Sequence, residues 1–219
     1  MTTKNNIEMK QYDIEDSIEV GLDEAGRGCL FGPVCVAGVI WPKCDPNDSM
    51  VIKDSKKCSI KYRNLCSDYI KKNAIEYSIQ LIDNEEIDKK NILQCSIDGM
   101  HLCLDDINTK QDIDLILVDG NHFKIYYSKE SDNFIKHKCI IKGDNIYKSI
   151  AAASILAKPY RDNYIIDLVE KNPELKKYGI EKNKGYGTKE HIEAIKKYGI
   201  TEWHRKSFSP CNNFINQMK

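Results

Sequence analysis

The chain of 219 residues is 41% hydrophobic and 30% charged, which is enough apolar content for one sizeable core. The opening stretch, MTTKNNIEMKQYDIEDSIEV, has no long apolar run, so neither a signal peptide nor a membrane span is expected. Formal net charge is zero, yet residues 1–120 carry 14 Lys+Arg against 22 Asp+Glu and residues 121–219 carry 19 against 11, an acidic half able to hold a metal beside a basic half able to hold an anion.

Nine cysteines with no CxxC pair and scattered spacing argue against a zinc ribbon, a thioredoxin-type site or a disulfide framework. They point to buried free thiols in a reducing, cytoplasmic setting.

In chain order, residues 1–16 read as an N-terminal extension and 17–219 as the catalytic domain. SIEVGLDEA alternates and turns at glycine, and GPVCVAGVIW is an apolar, β-branched strand that pairs with it. WPKCDPNDS is a loop. Ser59 to Lys72 has near-helical spacing, IEYSIQLI is a short strand, and NILQCSIDGMHLCLDDI is a helix with Ile92, Leu93, Ile97, Met100, Leu104 and Ile107 along one side. DIDLILVDG is a buried strand ending at Asp119-Gly120, and HKCIIKGD repeats the pattern, ending at Gly143-Asp144. A long helix follows from about Ile146, with Ala151-Ala152-Ala153 permitting close packing on the sheet and Pro159 expected to kink it. Helical structure continues from about residue 172, and the last clear helix runs from an N-cap at Thr188 to Gly199. The class is α/β with a mixed sheet.

Three apolar strands end in carboxylates, namely Asp23-Glu24, Asp119 and Asp144. If the strands are neighbours, the four acids converge on one sheet edge, where ligands bind in open α/β sheets. Clustered carboxylates repel unless a cation joins them, and oxygen ligands suit Mg²⁺ or Mn²⁺. Two such ions roughly 4 Å apart serve phosphodiester hydrolysis. Adjacent strand residues point to opposite faces, so Asp23 and Glu24 are expected to share a site only if the strand ends between them, with Gly26 and Gly28 supplying the turn.

These pieces resemble the type 2 ribonucleases H, the ribonuclease HII family. GLDEAGRG with GPV, DSKK at 54–57, LVDGN at 117–121, KGDNIYKSIAAASILAK at 142–158, RD at 161–162, KGYGTKEH at 184–191 and HRKSF at 204–208 match in order and spacing over residues 17–210. The resemblance implies a ribonuclease H-like fold, a five-stranded mixed sheet with flanking helices and a small C-terminal helical part. It implies cleavage of the RNA strand of RNA–DNA hybrids and nicking on the 5′ side of single ribonucleotides embedded in duplex DNA. By motif, Asp23, Glu24, Asp119 and Asp144 are the catalytic, metal-holding carboxylates. Gly26-Arg27-Gly28 is expected to contact the ribose 2′-OH through its backbone, and Tyr186 to stack at the RNA–DNA junction. The 2′-OH distinguishes RNA from DNA, and glycine permits the close backbone approach that reading it requires. Ser55, Lys56, Lys184, Arg205 and Ser207 are the expected phosphate contacts. Cys29 departs from the family's usual proline after GRG, implying a looser ribose loop.

The alternatives are another nuclease of the same broad fold acting on DNA, which would lack the GRG and KGYGT pieces, and a non-catalytic nucleic-acid-binding module, which would lack one or more of the four acids. Calcium held for structure alone would need an EF-hand-like spacing that is missing here. The expected chain is a monomer without a convincing sliding-clamp peptide in NNFINQMK.

Overall fold

Strands β1 (Glu19–Ala25) and β2 (Val34–Ile40) are almost wholly buried, as strands covered on both faces must be. The computed structural model describes residues 9–46 and 59–217. There β1 and β2 form the middle of a sheet with order β3-β2-β1-β4-β6-β5, completed by β3 (Glu76–Ile82), β4 (Leu115–Asp119), β5 (Tyr126–Ser128) and β6 (Asn133–Ile140). The β1, β4 and β6 strands run parallel, and the remaining pairings are antiparallel. The mixed sheet is as expected, but it has six strands rather than five. The addition is β5, a three-residue edge strand too short to show an alternating pattern.

Side chains alternate between two helical layers. Cys35, Ala37 and Val39 face the cluster formed with α1 (Ile60–Asn73) and α4 (Lys148–Lys171). Val20, Leu22, Val36 and Ile40 face Met100, Cys103, Leu104 and Ile107 of α3 (Ile92–Asn108), which follows the short α2 (Asn84–Lys90). The α4 helix lies very close to the sheet. A Cβ built on Gly21 would stand 2.3 Å from the Ser149 carbonyl carbon, so only glycine fits beneath that turn. The helix continues through Pro159 to Lys171.

Beyond α4, two 3₁₀ turns, α5 (Ile180–Asn183) and α6 (Lys189–Tyr198) build the C-terminal part around Leu175, Tyr178, Ile180 and Ile195. Thr188 caps α6 by accepting the His191 N–H, and Gly199 ends it, both as the sequence indicates. Residues 9–16 are more integrated than the term extension implies. Lys10 bridges to Tyr147, with its N–H donating to the Ile146 carbonyl at 2.7 Å, and the Glu19 carboxylate accepts the Asp13 and Ile14 N–H groups. The eight cysteines among the described residues are all unpaired, six of them buried. No helix among those residues is long and apolar enough to cross a membrane.

Gly21→Ala should overpack the β1–α4 contact and cost about 1–3 kcal/mol. Urea unfolding measures it, and a loss below roughly 0.5 kcal/mol would mean that the helix shifts at no cost.

Candidate active site

The parallel ladder of β1 and β4 closes at Leu22 and Val118, so Asp23 and Asp119 follow at adjacent strand ends. Next along the sheet, Asp119 pairs with Ile140 of β6, and the chain then turns through Lys142 (φ +59°) into a single 3₁₀ turn at Gly143–Asn145 that carries Asp144. Asp23 and Glu24 in β1, Asp119 at the end of β4 and Asp144 just after β6 thus lie along the same end of three neighbouring strands.

One expectation is corrected. The strand does not end between Asp23 and Glu24. Both lie within β1, which continues to pair with β2 as far as Ala25. The interruption is on the other side, where the β4 ladder stops at Leu22. Asp23 therefore faces α4, where Ser154 hydrogen-bonds its carboxylate, while Glu24 lies on the opposite parity and within 3.4 Å of the Arg27 guanidinium.

The carboxylates are held apart by local partners. Asp23 accepts the Glu24 N–H at 2.7 Å, Asp119 accepts the Gly143 N–H at 2.7 Å, and Asp144 accepts from the Asn145 amide at 2.8 Å. Among the described residues, no three His, Cys, Asp or Glu side chains form a group that could hold a metal ion. Clustered carboxylates repel one another. Asp23 records it, because burial, followed by the charges of Glu24 and Asp119, raises its carboxyl well above the usual range.

The glycine loop beside these acids rests on a buried cation. A Cβ on Gly26 (φ +87°) would lie 1.9 Å from Arg161 Nε. Arg161, from α4, is fully buried and donates to three carbonyls, Pro33 (2.8 Å), Phe31 (2.9 Å) and Lys184 (2.8 Å). Arg205 is also fully buried and donates to the Gly32 and Arg27 carbonyls. Two guanidinium groups therefore shape one loop from below. The sequence placed Arg161 in a motif without giving it a role; the signal available was its place four residues from Ala157 and four from Ile165, on the buried face of the helix.

The same network fastens the 184–187 segment to the loop. The Leu30 N–H donates to the Gly185 carbonyl, Cys29 bridges Tyr186, and Gly185 (φ +84°) has no room for a Cβ against the Phe31 carbonyl. Tyr186 is 39% exposed, with Lys158 Nζ 5.4 Å from its ring centroid. Beneath it, His191 and His204 are fully buried with their Nε2 atoms 3.2 Å apart. Burial, reinforced by His191, pushes His204 down to about 3, and burial also lowers His191, so both rings are neutral at physiological pH.

The other expected site residues are less uniform. Gly28 has open space beside it, and the Arg27 side chain is half exposed. Lys184 sits at the loop, its ammonium on the Glu181 carbonyl. Arg205 is corrected from a surface phosphate contact to an internal brace, since the side chain is fully buried and its Nε and Nη1 donate to the Gly32 and Arg27 carbonyls. Ser207 is exposed, but its hydroxyl donates to Asp88 at 2.6 Å, and Asp88 also accepts the Lys206 and Ser207 N–H groups. Ser55 and Lys56 lie outside the described residues.

Asp23→Asn removes one of the repelling charges and keeps an oxygen that can accept the Glu24 N–H. In metal-free protein at pH 7, a gain of roughly 1 kcal/mol would raise Tm by about 2–4 °C. Because the folded-state carboxyl titrates above 3.8, wild type has its full relative stability below 3.8 and loses it as pH rises. The advantage of the variant should therefore disappear on acidification toward pH 3.8, and an advantage that grew instead would contradict this electrostatic account.

The ribonuclease HII sequence profile matches residues 20–211. The chain is 51% identical over 188 residues to ribonuclease HII of Christiangramia forsetii, covering 86% of this chain and 88% of that protein. Among solved structures, ribonuclease H2 from Pyrococcus horikoshii OT3 superposes with a TM-score of 0.72 at 22% identity, covering 91% of this chain and 97% of that one. Bst-RNase HIII in complex with Mn²⁺ superposes with a TM-score of 0.66 at 18% identity, covering 92% and 70%. These two share the fold. The profile match and the extent of identity to the Christiangramia forsetii protein settle the family, and this chain belongs to the ribonuclease HII family of ribonuclease H endonucleases.

Proposed function

We propose that the protein cleaves the RNA strand of RNA–DNA hybrids and nicks duplex DNA on the 5′ side of a single embedded ribonucleotide. The observation that carries this reading is the juxtaposition of two units with different tasks. The four acids occupy the sheet edge, and a glycine loop that leaves backbone accessible at Gly28 lies directly after two of them.

The donor set fits hard divalent cations. It is all carboxylate oxygen, and the raised Asp23 carboxyl supports a site whose charges are made to be shared with a cation. Asp23, Glu24, Asp119 and Asp144 would hold two Mg²⁺ or Mn²⁺ ions, and the Mn²⁺ complex of Bst-RNase HIII, a protein of the same fold, agrees with that choice. Such ions, when bound, supply positive charge for the attacking and leaving oxygens of a phosphodiester. The protein's own part is to place the strand. The Gly26–Gly28 backbone offers polar groups at a distance that a side chain would block, suiting contact with a 2′-OH. Lys184 and Arg27 supply positive charge along the backbone path. The exposed ring of Tyr186 stacks on the sugar that follows the ribonucleotide.

Three duplexes decide between readings: all-DNA, DNA with one ribonucleotide, and an RNA–DNA hybrid, each assayed with Mg²⁺, with Mn²⁺ and with chelator. Cutting of the second and third only, and only with metal, is expected. Cutting of all-DNA, or activity in chelator, would overturn the reading in favour of a different nuclease. Stacking is worth about 1–3 kcal/mol, so Tyr186→Ala should lower kcat/KM at the embedded ribonucleotide roughly 5–150-fold. Retention of that activity would remove Tyr186 from the site.

A further inference from the structure

Two motifs of the sequence contribute a histidine that the chemistry above does not use, His191 in KGYGTKEH and His204 in HRKSF. They meet in the interior, and their hydrogen bonds permit one arrangement of protons. The Thr201 backbone N–H can only donate, and it points at His204 Nδ1 at 2.9 Å. His204 Nδ1 is therefore the acceptor, and a neutral ring must carry its proton on Nε2. That Nε2–H faces His191 Nε2 at 3.2 Å, so His191 Nε2 accepts and its proton resides on Nδ1. The His191 Nδ1–H donates to the Tyr186 carbonyl at 3.0 Å. A second proton on either ring would set donor against donor, at Thr201 or between the two Nε2 atoms.

The far end of this chain is the peptide of Tyr186. Its carbonyl accepts from His191 and also from the Thr188 N–H at 2.8 Å, while its own N–H donates to Asn183 at 3.0 Å. At the near end, the edge of Phe31 packs on His204 with centroids 5.1 Å apart, and Phe31 belongs to the loop braced by Arg161. The pair thus touches both halves of the surface on which the ribonucleotide and its neighbour would lie.

We propose that His191 and His204 are positioning residues that act as one directional hydrogen-bond relay, fixing the Tyr186 peptide and so setting how strictly the enzyme selects an RNA–DNA junction. This inference rests on the reading that Tyr186 meets the sugar after the ribonucleotide. The relay orients Tyr186 and takes no part in the reacting atoms.

The test separates the two ideas. The amide nitrogen of asparagine reproduces the Nδ1 donor of histidine, whereas glutamine reproduces the Nε2 position and loses the bond to Tyr186. His191→Gln should lower the ratio of kcat/KM for an embedded ribonucleotide over that for a long hybrid by roughly tenfold, the effect of about 1.4 kcal/mol, and His191→Asn should restore most of it. Parallel loss on both substrates, or an unaltered ratio in His191→Gln, would overturn the proposal. Tyr186→Ala is measured beside them. If it leaves the ratio unaltered, the reading of Tyr186 fails; if it lowers the ratio and His191→Gln does not, the relay fails. Ring ¹⁵N NMR of the wild-type protein at pH 7 tests the relay without substrate or variant. One histidine protonated at Nδ1 and one at Nε2, coupled through an Nε2–H···Nε2 bond, is expected, and any other tautomer pair would overturn it.

Discussion

Arg161 is the group through which the sheet edge, the glycine loop and the C-terminal part are held to one another. Its guanidinium leaves α4 beneath Gly26 and donates to Phe31 and Pro33 of the loop and to Lys184, which is far from them in sequence. A loop that must expose backbone to a ligand cannot satisfy its own carbonyls with a ladder, and buried carbonyls left unpaired are costly. One arginine, with its fan of donors, resolves both needs from below and leaves the upper surface open. It also explains the Gly26 constraint, because the space where a Cβ would stand is filled by Arg161 itself.

The charges of the site form two layers. Burial and the neighbouring carboxylates raise the Asp23 carboxyl at the sheet edge, while Arg161 and Arg205 are buried behind the loop and, among the described residues, no carboxylate hydrogen-bonds either guanidinium. The acids are the donor set proposed for divalent cations, and the buried arginines place fixed positive charge beneath the loop proposed to meet the nucleic acid.

The sheet and the acids were legible because they depend on patterns that short-range chemistry imposes. LILVD is an apolar run of strand length that ends in Asp119, and GPVCVAGVI is another, pairing with the strand that carries Asp23 and Glu24. What could not be read depends on contacts distant in sequence or on segments too short to carry a period. The β5 strand has three residues. The α2 helix went unread, although Asp83 accepting the Glu86 N–H is a capping signal visible in DNEE. Arg205 looked like a surface cation because HRKSF is polar, and nothing local indicates that its donors turn inward to Gly32 and Arg27. Asp88 was equally silent, being an ordinary acid on a short helix until it meets the backbone of Lys206 and Ser207. The strand through Asp23-Glu24 was misjudged for a related reason. Alternation along one strand is local, but where its neighbour's ladder stops is not.

Cys29 shows how these constraints alter the meaning of a single position. A proline there would fix φ but could not donate, and here the Cys29 N–H donates to the Gly26 carbonyl at 3.2 Å, closing the turn around Arg27-Gly28. The thiol meets the Lys184 carbonyl at 3.8 Å, on the same oxygen that accepts from Arg161. Stiffness that a ring would supply covalently is replaced by one hydrogen bond and two buried guanidinium braces. The loop's conformation is then set mainly by what lies under it, so the expectation that losing the ring loosens ribose recognition gives way to one in which the loop keeps its shape as long as Arg161 and Arg205 remain.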